Sequence, residues 1–375
     1  MPDLLINNPY EAVDWGGHEA YKFDLHSGHL EKYVDQESDV GAGDLVDLNI
    51  NAGFDIVSVC STDRFPILWP WDEFDEIDPD EFDSTKSEFE TRDPESLDVV
   101  AVPSIEGVAG EHVIGGFTTI HQDDHDPETR LDSFDGILNE NEFHVTNDVV
   151  AWLAHTSRYI DDAQDDWERY RKDYLQFDVT GFEVAAKGSI TRMERLWDYL
   201  NERFLGSIWG FAANDVSAGD YHVGDRLGER FNDLYLDPDD YDPSDQQASR
   251  EAIAEAIANG QFVQVDRGKW DDDAEDPPDY PTINEITVDG SIITIDADGY
   301  DSINWISGTD GGVTDVVDSG PTIDVTEDHV PYVRAEIDGS TVYTQPFVVS
   351  EGQWTSESDA KWSADSSAQW DIEQS

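Results

Sequence analysis

Short apolar runs alternate with helical or acidic segments between residues 20 and 220, and this alternation limits the folds open to the chain. The clearest runs are FDIVSVC (54–60), LDVVAVPSIE (97–106), TGFEVAA (180–186) and SIWGFAAND (207–215). Helices are predicted at 192–204, where apolar residues recur at helical spacing, and at 246–258, which ends before Gly260. Strands that alternate with helices predict an α/β fold with a mostly parallel sheet or a β/α barrel.

The character of the sequence changes after residue 269. Residues 270–281 (WDDDAEDPPDYP) are acidic and contain three prolines, which predicts a linker. Residues 282–350 contain short alternating strands separated by Asp-Gly and Gly-rich turns, which predicts a small antiparallel, Ig-like β-sandwich with Trp305 in its core. We therefore expect a first domain at 1–269, a linker at 270–281 and a second domain at 282–350.

The last segment, residues 351–375, repeats a tryptophan every eight residues. The tryptophans are Trp354, Trp362 and Trp370. An even interval places them on one face of an extended chain. Two interpretations remain open: a disordered terminus with chance tryptophans, or an extended tail that docks on a partner protein or back on its own domain. We favour docking, because polar neighbours cannot bury three indoles.

Acidic residues occur throughout the chain, with 86 Asp and Glu against 21 Lys and Arg and a formal net charge of −65. The chain also contains 12 Trp and 16 Phe, which argues against a disordered acidic protein. Molar salt shortens the Debye length to about 3 Å and removes the self-repulsion of such a chain. The charge therefore predicts adaptation to a salt-saturated environment, and it excludes nucleic-acid binding through a basic face.

The single cysteine, Cys60, lies in an apolar strand, so we expect it to pack in the core rather than form a disulfide framework. The first residues, MPDLLINNPYEAVDW, contain neither a basic leader region nor a long apolar run. Apolar stretches of about 18 residues, which a spanning helix requires, are also missing. We expect a soluble chain that does not use a general secretion route and does not insert into membranes.

Histidine and carboxylate side chains follow the predicted strands. These residues are His26, His29, Asp63, Glu106, His112, His155 and Asp215. In a β/α barrel the carboxyl ends of the strands meet at one mouth, so we expect these residues to converge there. A histidine alone at a strand end is more often structural. The convergent set indicates a site for a first-row transition metal, which can activate water at a phosphoryl centre.

In order and spacing, these motifs resemble those of the PHP (polymerase and histidinol phosphatase) family over residues 20–220. The family pattern is His-x-His after the first strand, then Asp-His, a Glu, a strand-end His and a final Asp-x-His. The segments NPYEAVDWGGHEAYK and LWPW also resemble haloarchaeal members. The resemblance implies a distorted β/α barrel over residues 1–269 that hydrolyses phosphoesters with up to three metal ions. It places the metal ligands at His26, Asp63, Glu106, His112, His155 and Asp215.

Three histidines of the family pattern are replaced in this chain. The residues at those positions are Gly28, Arg64 and Ser217. His29 lies one residue beyond Gly28, but the extra residue changes its direction along the strand. Arg64 places a fixed cation beside the pocket and opposes a second or third metal ion. The departures imply a damaged centre that holds one divalent ion (Mn, Zn or Fe) through His26, Glu106 and Asp215.

Three functions fit these observations. The first is an inactive, phosphoesterase-derived scaffold that serves as a structural or binding module and contacts a protein partner through the sandwich and the tail, in an oligomer or larger assembly. The second is a metal-dependent phosphoesterase with a reduced centre and weak activity. The third is a module that binds a sugar or phosphorylated glycan without cleaving it. We favour the first, in the particle or tail of a halophilic virus, and keep a cytoplasmic haloarchaeal enzyme as the alternative.

Overall fold

The structure is a computed structural model. It describes residues 4–30, 42–62, 71–72, 91–107, 112–117, 150–156, 180–186, 190–203, 207–217, 227–268, 278–309, 313–326, 330–338 and 342–351. These ranges contain four α-helices: α1 (Ala42–Asn51), α2 (Pro94–Leu97), α3 (Ile190–Arg203) and α4 (Gln246–Ala258). Among them, none has the length and apolar character needed to cross a membrane.

An eight-stranded sheet contains or adjoins most of the predicted site residues. Its strands, in spatial order, are β12 (Val216–Ser217), β3 (Gly28–Leu30), β5 (Cys60–Thr62), β7 (Ser104–Gly107), β8 (Val113–Gly116), β9 (Val150–Leu153), β10 (Gly181–Ala185) and β11 (Trp209–Ala212). Strand β8 runs antiparallel to both of its neighbours. The other neighbouring strands of this sheet are parallel.

An eleven-stranded sheet joins the two ends of the described chain. Nine of its strands follow one path: β1 (Leu4–Asn7), β22 (Phe347–Glu351), β20 (Tyr332–Ile337), β21 (Val342–Tyr343), β14 (Phe262–Asp266), β13 (Arg230–Leu236), β2 (Glu19–Asp24), β4 (Ile56–Val57) and β6 (Val100–Ala101). Off this path, β17 (Ile303–Thr309) pairs with both β20 and β18 (Val313–Ser319). The remaining strands, β15 (Thr282–Asp289), β16 (Ile292–Asp298) and β19 (Thr322–Asp324), form a three-stranded sheet.

The predicted β/α barrel is wrong. Strands predominate over helices in the described ranges, and their sheets are open paths with free ends rather than a closed ring. Strand β13 runs antiparallel to both β2 and β14, and β8 is reversed within the eight-stranded sheet. A parallel barrel requires a helical crossover after each strand, whereas antiparallel neighbours need only a short connection. The fold is therefore mainly β, with mixed sheets.

The strands of residues 282–350 pack in two layers, and one layer belongs to the eleven-stranded sheet. Trp305 is fully buried between them, as predicted, and its indole Nε1 donates to the carbonyl of Gly320 at 2.9 Å. Strand β21 pairs with β14, so the sheet continues across the predicted linker. The predicted division of the chain at residues 270–281 stays a prediction.

Both predicted long helices are confirmed, and their boundaries have local causes. Helix α4 begins where the side chain of Asp245 accepts a hydrogen bond from the backbone N–H of Ala248, and Gly260 follows with φ of 74°. Helix α3 buries Met193, Leu196 and Trp197 on one face, the helical spacing that predicted it.

A buried ion pair ties α3 to β20. Arg334 donates from Nε and Nη2 to the two carboxylate oxygens of Asp198, at 2.8 and 3.1 Å, and both side chains have 0% exposure. The guanidinium also lies 4.8 Å from the ring centre of Trp197 and donates from Nη1 to Glu336 at 2.8 Å. The pair thus links the helix that supports the eight-stranded sheet to a strand of the eleven-stranded sheet.

Candidate metal centre

Five of the six predicted metal ligands lie in the described residues, and the structure brings them together. His26 follows β2, Glu106 lies in β7, His112 immediately precedes β8, His155 follows β9, and Asp215 lies between β11 and β12. All are buried except His112, whose side chain is 20% exposed. They come from both large sheets, so the centre does not depend on a barrel mouth.

The five residues form two overlapping groups that share His155. One group is His26, His155 and Asp215, and the other is Glu106, His112 and His155; within each, the ligand atoms lie within 4.8 Å of one another. Nε2 of His26 is 3.6 Å from Oε2 of Glu106 and 3.6 Å from Oδ1 of Asp215. Nitrogen and oxygen ligands about 2.1 Å from a tetrahedral ion lie roughly 3.4 Å apart. The residues present therefore fit a small divalent ion.

Glu106 lies at the centre of the cluster. Its Oε1 is 2.5 Å from Nδ1 of His112 and 3.1 Å from Nε2 of His155. Burial alone would raise the pKa of Glu106, but the charge of His26 and the hydrogen bonds of the three histidines hold that pKa well below its ordinary value. Glu106 is thus an anion at neutral pH among the imidazoles, as a metal-binding carboxylate must be.

The structure adds Glu183, which the sequence reasoning missed. Its side chain is fully buried in β10, and its Oε1 is 2.7 Å from Nδ1 of His26. Its Oε2 accepts a hydrogen bond from the backbone N–H of His155 at 2.7 Å. Burial alone would raise the pKa of Glu183, but the neighbouring His26 lowers it. The available signal was one acidic residue inside an apolar strand, which requires a partner when buried.

Asp24 fixes the backbone that presents His26. Its carboxylate accepts hydrogen bonds from the backbone N–H of His26 at 2.9 Å and from that of Asn214 at 2.8 Å, so it joins the turn after β2 to the segment after β11. Burial raises the pKa of Asp24 to about 7. The backbone N–H of Asp215 in turn donates to the carbonyl of His26 at 3.0 Å.

Two of the ligand positions have unusual backbone conformations. His155 has φ of 29° and Asp215 has φ of 48°. Residues other than glycine rarely adopt positive φ, and where they do, the surrounding structure must stabilise it. The hydrogen bonds of these two backbones to Glu183 and His26 supply that support, and they place both side chains in the cluster.

The remaining predicted residues are placed as follows. Asp63 and Arg64 lie outside the described residues, as do Trp354, Trp362 and Trp370. His29 lies in β3, where its backbone is in register with Ser217 of β12 on one side and Cys60 of β5 on the other. Gly28 is in register with Val216. Two of the three replaced histidine positions, Gly28 and Ser217, are therefore on neighbouring strands.

Without a metal ion, the protein should lose stability as the pH rises above about 6.5, the ordinary pKa of histidine. Burial alone would lower the pKa of His26, but the charges of Glu183 and Glu106 raise it well above that value. The stability that protonated His26 contributes is complete below the unfolded pKa and is lost as the pH rises through the folded pKa. The lowered pKa of Glu106 acts at the other end, because its contribution is lost as the pH falls through its folded value.

The measurement is urea unfolding in molar KCl with a chelator, at steps from about pH 6 to about pH 9. The His26→Gln variant should show a shallower decline in the free energy of unfolding than the wild type. His18→Gln is the control, because the hydrogen bonds that His18 makes with described residues go to its neighbour Asp14. Equal slopes for the wild type and His26→Gln would contradict the expectation.

No family model and no curated protein sequence matches this chain.

Proposed function

We propose that this chain is a metal-binding module in which one divalent ion is held by His26, Glu106, His155 and Asp215. The observation that carries the proposal is the pair of 3.6 Å distances from Nε2 of His26 to the carboxylates of Glu106 and Asp215, in a buried cluster. Nε2 of His155 approaches the same carboxylate of Glu106 at 3.1 Å. Two imidazoles and two carboxylates form a compact donor set.

The donor types favour a first-row transition metal. Imidazole suits Zn, Fe, Cu and Ni, whereas carboxylate extends the range to Mn. Sulfur is not part of the donor set, because Cys60 belongs to neither of the two ligand groups. We propose Mn, Zn or Fe as the occupant.

The proposed module has reduced catalytic capacity. An ion held by these residues would polarise a phosphoryl oxygen and would lower the pKa of a bound water. The protein supplies the fixed positions of the imidazoles and the anionic charge of Glu106. Glycine, arginine and serine stand where the family that this chain resembles has further histidines, which supports a single ion and slow or absent phosphoester hydrolysis.

Phosphoester hydrolysis itself is the second candidate function, and one observation favours it. His112 is 20% exposed while its Nδ1 contacts Glu106, so solvent reaches the cluster at this side chain. A catalytic metal site requires an open position for water or substrate, whereas a structural site is closed.

The proposed setting is a salt-rich one, which the net charge of −65 supports. We propose that the module belongs to a larger assembly, such as the particle of a halophilic virus, and contacts its protein partner through residues 282–350 and the three tail tryptophans. In such an assembly, a metal centre that hydrolyses little substrate would stabilise the module or help to attach it to its partner.

The test compares metal binding of the wild type with that of His155→Ala, because His155 belongs to both ligand groups. In molar KCl at about pH 8, the wild type should bind one equivalent of Mn²⁺ or Zn²⁺, and His155→Ala should bind more than about 100-fold more weakly. His18→Ala is the matched control and should bind as the wild type does.

Absence of stoichiometric binding by the wild type, or unchanged binding by His155→Ala, would overturn the proposal. Hydrolysis of bis(p-nitrophenyl) phosphate is measured in the same samples. Rapid hydrolysis that His155→Ala abolishes would establish the second candidate in place of the first.

A further inference from the structure

We propose that Glu183 is a positioning residue of the metal centre: its carboxylate holds the ring of His26 and the backbone of His155 together, and so directs Nε2 of His26 toward Glu106 and Asp215. The inference rests on the proposed function. Glu183 is selected neither by the spacing of the motifs nor by a position at the end of a predicted strand.

The hydrogen bonds of Glu183 divide between the two histidine ligands. Oε1 is 2.7 Å from Nδ1 of His26, and Oε2 accepts from the N–H of His155 at 2.7 Å. The indole N–H of Trp152 also approaches Oε1, at 3.4 Å. Because both oxygens are engaged, the carboxylate cannot rotate without breaking a contact to a ligand residue.

The position of Glu183 in the sheet makes this support rigid. It lies in β10, between β9, which leads into His155, and β11, which leads toward Asp215. Its backbone is in register with that of Phe211, and its side chain is fully buried. A side chain on an interior strand keeps its geometry better than one on a loop.

The chemistry of imidazole explains what this contact does. When Nδ1–H of a histidine donates to a carboxylate, the proton is fixed on Nδ1 and the lone pair of Nε2 is free to bind a metal. The carboxylate also increases the basicity of the ring as a ligand. In this cluster, Nε2 of His26 is the atom that lies 3.6 Å from both Glu106 and Asp215. Glu183 therefore determines which nitrogen of His26 faces the ion.

The experiment is Glu183→Gln, which retains the shape but replaces one oxygen with an amide. If the amide group of the new side chain donates to Nδ1 of His26, the ring proton moves to Nε2, and the metal has to displace it. Affinity for Zn²⁺ in molar KCl should then fall about 10- to 100-fold. The matched control is Glu194→Gln, because Glu194 is also a partly buried carboxylate that accepts a hydrogen bond, from Tyr343, but away from the cluster.

Nitrogen NMR of the histidine rings separates positioning from general stability. In the wild type with Zn²⁺, His26 should carry its proton on Nδ1 and the metal on Nε2. In metal-free Glu183→Gln at high pH, the neutral His26 ring should carry its proton on Nε2 instead, while Glu194→Gln should resemble the wild type. If Glu183→Gln does not fold, the wild-type spectrum alone decides, since metal on Nδ1 of His26 would overturn the inference.

The outcomes distinguish the inference from the proposed function. A wild type that binds no metal overturns the proposed function, and the ring spectra still show whether Glu183 determines the protonated nitrogen. A wild type that binds metal, together with Glu183→Gln of unchanged affinity and unchanged ring protonation, overturns the role of Glu183 alone.

Discussion

Replacing Arg334 with methionine should lower the free energy of unfolding by about 3–5 kcal/mol, the typical cost of removing one partner of a buried ion pair. The substitution leaves Asp198, which has 0% exposure, charged and without the two hydrogen bonds that Arg334 donates. It also removes the guanidinium from the face of Trp197. The measurement is urea unfolding at constant molar KCl.

The double variant Arg334→Met, Asp198→Leu should recover most of this loss, because apolar residues of similar volume replace a buried pair at little cost. Arg230→Met is the control, since Arg230 and Asp266 form a longer, partly exposed contact at 3.4 Å. It should cost about 1 kcal/mol or less. A loss for Arg334→Met no larger than for Arg230→Met would show that the pair does not hold α3 to β20.

Lowering the salt concentration should unfold the whole protein. The Debye length grows from about 3 Å at 1 M to about 10 Å at 0.1 M, so repulsion among the acidic residues increases steeply over this range. One surface segment shows the local density of charge. Its exposed acidic residues are Asp237, Asp239, Asp240, Asp242 and Asp245.

We expect the folded state to be lost between about 1 M and about 0.1 M KCl without denaturant, as seen by far-UV circular dichroism. Sucrose, which stabilises folded proteins without screening charge, is the control and should not replace the salt at low ionic strength. An unchanged melting temperature between the two KCl concentrations would contradict the electrostatic explanation.

The candidate centre was more predictable than the fold, because its signals are local. His26, His155 and Asp215 each follow an apolar strand. A polar residue at the end of an apolar run is visible from the neighbouring sequence alone. Glu183 was not predicted as a site residue, because it lies within an apolar run whose residues indicate only a buried strand. Its partner, His26, is distant in the sequence, so the reason for the buried charge is visible only in the structure.

The same contrast between local signals and long-range contacts applies to the helices and to the direction of the strands. Helix α4 has the predicted bounds, 246–258, because its apolar spacing and its end signals lie within the helix and beside it. Strand direction has no comparable signal, since an alternating or apolar run reads the same in a parallel or an antiparallel pair. The pairing of β13 with β2 joins residues about 200 positions apart, and this reversed pairing is one of the features that exclude a parallel barrel.

The pairing of β1 with β22 has a consequence for synthesis. Leu4–Asn7 form a ladder with Val348–Glu351, so β1 is synthesised long before its partner exists. At about 5–20 residues per second, that wait is on the order of tens of seconds. In the finished sheet β22 lies between β1 and β20. Until β22 is made, β1 is unpaired and the edge of β20 that will bind β22 is free. Both can pair with strands of other nascent chains. The pairing of β1 with β22 therefore closes only after β22 has left the ribosome, and crowding of nascent chains on one message is the condition under which this protein would exchange strands between copies.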